Sequence, residues 1–120
     1  MEEKTNLSPA NLAFLGDAVY SLFVRERLAK TNLLIKELNE KANAIVSAVS
    51  QAKAFEKIKN LLTEEETEIF KRGRNIHTNN TPKSATVAEY HIATGLETLM
   101  GYLYLEGKTD RIKELLDKAL

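Results

Sequence analysis

The sequence predicts an all-α protein, a helical bundle, and three observations carry that expectation. Only two prolines and five glycines interrupt 120 residues, so little in the chain breaks a helix. Ala, Leu, Glu and Lys, all good helix formers, are plentiful. Apolar residues recur at spacings of three and four, the period of a helix face rather than of a strand. A chain of 120 residues is expected to fold as one domain, residues 1–120, with a core that needs no staples.

Ser8-Pro9 is a helix start, because Ser caps and Pro fits the first helical position. The helix from there to about Lys30 carries Leu12, Leu15, Val19, Leu22 and Phe23 on a core side. After a short link, Leu34 to about Asn60 reads as helix, with Leu38, Ala42, Ile45, Val49 and Ala52 forming one stripe. A break between two helices stays open near Ser47, Ser50 and Gln51. Thr63-Glu64-Glu65-Glu66 is a capping box that opens a short helix through Ile69 and Phe70, expected to end at Gly73. Arg74 to Thr86, rich in Asn, Thr and Ser, is the long loop. Val87 to Glu106 is a second long apolar helix, ended by Gly107. Thr109 then caps an amphipathic helix through Ile112, Leu115 and Leu116.

Composition narrows the function. Cysteine is absent, which removes disulfides, thiolate metal sites and thiol nucleophiles. The acidic, polar start MEEKTNLSPA does not read as a signal peptide, and no apolar run reaches the roughly 20 residues of a membrane span. The expected location is the cytoplasm. Seventeen basic and seventeen acidic residues give zero net charge, which excludes a globally basic nucleic-acid binder but not a locally basic surface.

The longest apolar stretch, Asn11 to Arg27, holds Gly16 and Asp17 in its middle, residues a purely structural core helix avoids. The second apolar helix repeats the oddity, with Glu97 among the small residues Ala93, Thr94 and Gly101. Two such helices can pack with Asp17 and Glu97 facing each other. Like charges that close cannot both stay ionised without a cation. A hard divalent ion with oxygen ligands resolves the conflict, and Mg²⁺ with retained waters suits two carboxylates. Each carboxylate could equally reach the surface or cap a neighbouring helix, and the residues alone leave that open. Between Ile69 and Ala88 there is no acidic residue, while Lys71, Arg72, Arg74 and Lys83 are basic and Asn and Thr interleave. That is the composition of a phosphate-contacting loop, and also of many solvated ones.

Three segments carry a resemblance. Phe14-Leu15-Gly16-Asp17-Ala18-Val19 resembles the signature helix of the ribonuclease III family. Arg72-Gly73-Arg74-Asn75 resembles its GRN segment, and Glu97 to Leu105 its second acidic helix. The order matches and the three together span nearly the whole chain. Two family carboxylates are missing: Ala13 stands four residues before Asp17, and Thr94 three before Glu97. That departure, and the expected lack of a double-stranded-RNA-binding domain, resemble the Mini-III branch.

The resemblance implies a homodimeric, Mg²⁺-dependent endoribonuclease cutting double-stranded RNA and leaving 5′-phosphate ends. Its substrate would be precursor of large-subunit ribosomal RNA, with a ribosomal protein as a further partner presenting it. Asp17 and Glu97 would be catalytic metal ligands. Arg72, Arg74, Asn75 and Lys83 would hold the RNA backbone, and Phe14, Leu15, Gly16 and Val19 would form the two-fold dimer seam. Two rivals remain at this level. One is a non-catalytic relative acting as an RNA-binding or ribosome-associated module; the other is a helical protein-interaction domain.

Overall fold

The computed structural model describes residues 6–76 and 85–120. It contains α1 (Pro9–Ala29), α2 (Ile35–Ile45), α3 (Ala48–Ile58), a 3₁₀ turn at Lys59–Leu61, α4 (Glu64–Arg74), α5 (Val87–Leu105) and α6 (Thr109–Ala119). Among the described residues there is no strand, so the all-α expectation holds. No helix among them is long and apolar enough to cross a membrane.

The axis of the bundle is α5, against which α1, α3, α4 and α6 all pack. Its sequence dictates this place. Ala93, Gly95, Leu96, Thr98, Leu99, Met100, Gly101, Tyr102 and Leu103 are all buried, so it is covered nearly all round, as a central helix must be. Tyr20 and Val24 of α1, Ile58 of α3, and Ile112 and Leu115 of α6 close the core around it. The outer helix α6 is amphipathic instead, burying only Ile112, Leu115, Leu116 and Ala119.

The helix α4 is fixed at both ends of its inner face. Phe70 stacks on Phe55 of α3 with centroids 3.9 Å apart. Buried Glu66 accepts from Arg111 of α6 on both oxygens, at 2.8 and 2.9 Å, and Arg111 also donates to the Leu61 carbonyl at 2.8 Å. Burial alone would push Glu66 up, but the bonds from Arg111 and Thr63 outweigh it and hold the carboxyl below its usual range. The capping box at Thr63 and Glu66 forms as predicted.

The structure changes several expected details. Leu22 is 58% exposed, because the arc of α1 that meets the core runs through Leu12, Val19, Tyr20, Phe23 and Val24 and leaves Leu22 outside it. The Leu34–Asn60 stretch is two helices, broken at Val46, with Ser47 capping α3 by accepting from the Ser50 amide at 3.2 Å. The helix α4 runs through Gly73 to Arg74. Gly73 is there for space, since a Cβ would fall 2.1 Å from Thr98 Oγ1. Thr109 is the first residue of α6 rather than its cap, a position held by Lys108 without a side-chain bond. Gly107 does end α5, at φ +74.

Candidate active site

The site begins with a close crossing of α1 and α5. A Cβ on Gly16 would lie 1.6 Å from the Glu97 carbonyl oxygen and 2.9 Å from the Gly101 amide nitrogen. A Cβ on Gly101 would lie 2.1 Å from the Leu12 carbonyl oxygen. The two glycines therefore let one backbone rest directly on the other. Asp17 follows Gly16 on α1, and Glu97 stands one turn before Gly101 on α5, so the crossing brings the two carboxylates to one place.

Both line a cavity of about 300 Å³, together with Ala10, Ala13, Phe14, Ile76, Tyr90 and Thr94. Ala13 and Thr94, where the family pattern would put further carboxylates, face the same cavity. Asp17 is exposed at its rim and Glu97 is half-buried at its wall. Burial first, then the neighbouring Asp17 carboxylate, pushes Glu97 up to about 8, against the lowering effect of a hydrogen bond from Gln51. Gln51 Nε2 donates to Glu97 Oε2 at 3.2 Å.

The donor set fits a hard divalent cation. It offers oxygen only, two carboxylates held close at the cost of a raised acid, and a cavity with room for several waters at about 30 Å³ each. Among the described residues no group of three or more His, Cys, Asp or Glu side chains gathers anywhere.

The raised acid has a consequence for the metal-free protein. Its folded value lies above the ordinary 4.5, so Glu97 stabilises the fold while protonated. That contribution is full below the unfolded value and disappears as pH rises through about 8. The melting temperature without divalent ions should therefore fall between about pH 5 and 8, and Glu97→Gln should flatten that slope. Equal slopes for the two proteins would contradict the assignment.

The other expected residues divide. Arg74 and Asn75 line an adjoining cavity of about 420 Å³ with Ile76 and His91, and Ile76 borders both cavities. Arg74 is steadied by its Nε donating to Asn75 Oδ1 at 3.2 Å and by lying 5.9 Å over the Phe70 ring. Arg72 is exposed on α4 and lines neither cavity. Lys83 and most of the basic loop lie outside the described residues. His91, which the sequence offered no reason to single out, joins the Arg74 cavity.

Of the expected seam, Phe14 is 85% exposed and Leu15 is half-buried against the core. Gly16 and Val19 are both buried within this chain, Gly16 against α5 and Val19 in the core at 4% exposure. Their small or apolar character serves the fold before any partner.

Sequence reasoning also gave no role at the site to Gln51 or Tyr20. Gln51 was noted only as part of a break, yet it sits inside α3 at 1% exposure and touches Glu97. The available signal was an amide interrupting an apolar stripe. Tyr20 is fully buried, and burial together with Glu97 pushes its phenol up to about 12, so it stays a neutral donor.

Comparison with known proteins gives one answer. A family model, Ribonuclease III domain, matches residues 10–108. The chain is 46% identical over 116 residues to the Mini-ribonuclease 3 of Thermoanaerobacter sp., covering 96% of this chain and 82% of that protein. It is 44% identical over 114 residues to the Mini-ribonuclease 3 of Symbiobacterium thermophilum, covering 94% and 88%. A crystal structure of a protein from Fusobacterium nucleatum matches with a TM-score of 0.84 at 40% identity, covering 92% of this chain and 89% of that one.

Proposed function

The chain belongs to the ribonuclease III family, in its Mini-III branch, and on that premise we propose that this endoribonuclease cuts double-stranded RNA with Mg²⁺ held between Asp17 and Glu97. The observation that carries the reading is one cavity with one carboxylate from each of two locked helices, the inner of them pushed up to about 8.

Asp17, exposed at the rim, is the carboxylate a phosphodiester would meet first. Glu97, fixed by α5 and by Gln51, presents its oxygens from the wall. What the cation supplies when bound is charge to offset the phosphate and an acidified water for in-line attack. Giving up its proton lets Glu97 join Asp17 as a ligand. Arg74 and Asn75 lie one cavity away, where they can hold the RNA backbone beside the scissile bond, with Arg72 and Lys83 as further contacts.

A duplex is recognised by shape and phosphates across its shallow groove, which suits a chain of zero net charge with a local basic segment. A homodimer through α1 would place one such site on each strand. The exposed Phe14 supports it, as a large apolar ring 85% exposed among the described residues. Precursor of large-subunit ribosomal RNA, presented with a ribosomal protein, is the substrate that the family resemblance of Phe14–Val19, Arg72–Asn75 and Glu97–Leu105 implies.

The test is cleavage of duplex RNA by the purified chain. Cutting with Mg²⁺ and none with a chelator is the expected result. Intact duplex in Mg²⁺, or equal cutting in chelator, would overturn the reading.

A further inference from the structure

We propose that Gln51 is a positioning residue for Glu97, and that one enclosed water joining the Tyr20 phenol to Gln51 Oε1 holds it in that role. The inference rests on the reading of Glu97 as a metal ligand, and it goes beyond that reading by naming the groups that aim the ligand.

Gln51 Nε2 donates to the Val46 carbonyl at 3.1 Å and to Glu97 Oε2 at 3.2 Å. A backbone carbonyl can only accept, so it fixes which end of the amide faces the carboxylate. Both N–H bonds are thereby used, and Oε1 is turned the other way. Gln51 is 1% exposed, and its Oε1 is buried with no partner. Among the described residues one other buried side-chain oxygen or nitrogen lacks a partner: the Tyr20 hydroxyl. One orphan accepts and the other donates, and each lies near Glu97, Gln51 by its bond and Tyr20 close enough to feel the carboxylate's charge. A buried polar atom left without a partner costs about 1–3 kcal/mol, and one enclosed water between the two satisfies both.

The geometry explains why an amide stands there. Burial and Asp17 both disfavour an ionised Glu97, and a donated N–H favours it. Gln51 also anchors that carboxylate to the end of α2 at Val46, so that α1, α2, α3 and α5 meet behind one ligand. Supporting shells of this kind orient a ligand and raise its affinity for the metal.

The experiment compares Gln51→Met, which keeps volume and removes the amide, with Tyr20→Phe, which removes only the hydroxyl, and with the double variant. For Gln51→Met we expect kcat on duplex RNA to fall about 10–100-fold and the Mg²⁺ midpoint to rise comparably, with KM for RNA unchanged. Calorimetric Mg²⁺ affinity without RNA should weaken in step. Tyr20→Phe should shift the same quantities less, and the double variant should be no worse than Gln51→Met. In the metal-free protein, hydrogen exchange at the Gln51 side-chain amide should quicken in Tyr20→Phe. A Gln51→Met protein with parental kcat and Mg²⁺ midpoint, beside an inactive Glu97→Gln, would overturn this inference and leave the catalytic reading standing. Parental cleavage by Glu97→Gln would instead remove the reading beneath it. Strict additivity of the two variants, or unchanged exchange at Gln51 in Tyr20→Phe, would overturn the role given to Tyr20.

Discussion

Asp17→Asn and Glu97→Gln should each lower duplex-RNA cleavage by about 1,000-fold or more, the order lost when a group that stabilises transition-state charge is removed. The site has no reserve. Ala13 and Thr94 line the same cavity without offering a carboxylate, so nothing there replaces a lost ligand. Each substitution keeps the shape of the side chain and removes only its charge. Glu97→Gln also removes the cost of an acid crowded by burial and by Asp17, so the metal-free protein should melt no lower than the parent at pH 8. Duplex binding measured without Mg²⁺ should persist in both variants. Loss of activity without loss of fold is the signature; a variant that cuts at the parental rate would remove its residue from the site.

Gly16→Ala should be the most damaging single methyl in the chain. Its Cβ would sit 1.6 Å from one backbone oxygen and 2.5 Å from the backbone carbon beside it, and neither can rotate away. Overpacking a core costs about 1–3 kcal/mol when side chains can yield, and here the helices themselves must part. A loss of about 3 kcal/mol or more follows, enough to lower the melting temperature by about 10 °C or more. Gly101→Ala meets the Leu12 carbonyl at 2.1 Å and should behave alike. Any folded fraction would hold Asp17 away from Glu97 and so lose cleavage as well. Gly107→Ala is the control, because nothing lies within 4 Å of its Cβ and only its φ of +74 is strained. Its cost should be about 1 kcal/mol. Comparable melting temperatures for Gly16→Ala and Gly107→Ala would contradict the close crossing.

These residues also mark how far the sequence could be read. Asp17 and Glu97 stood out because a charge inside an apolar helix is anomalous by itself, whatever it faces. The helix starts at Ser8 and Thr63 were visible because caps depend on residues only three positions apart. Gly16 was visible as an anomaly but not in its cause, since small residues serve a contact within a chain and a contact between chains equally well. Leu22 and Tyr20 exchanged places because the pattern gives a helix's period, whereas the direction of its buried arc depends on where α5 lies. Gln51 gave least warning. Its role comes from Glu97, 46 positions away, and from a carbonyl at the end of α2.

The central claim is that Asp17 and Glu97 form one cation site in which Glu97 exchanges a proton for the metal. Calorimetry of Mg²⁺ binding to the RNA-free protein at pH 7, repeated in buffers of different ionisation heat, measures that proton directly. With Glu97 pushed up to about 8 by burial and Asp17, its protonated form dominates at pH 7, so proton release should accompany ion binding. Glu97→Gln should bind Mg²⁺ far more weakly and release none. Tight binding without proton release, or release unchanged in Glu97→Gln, would contradict the account.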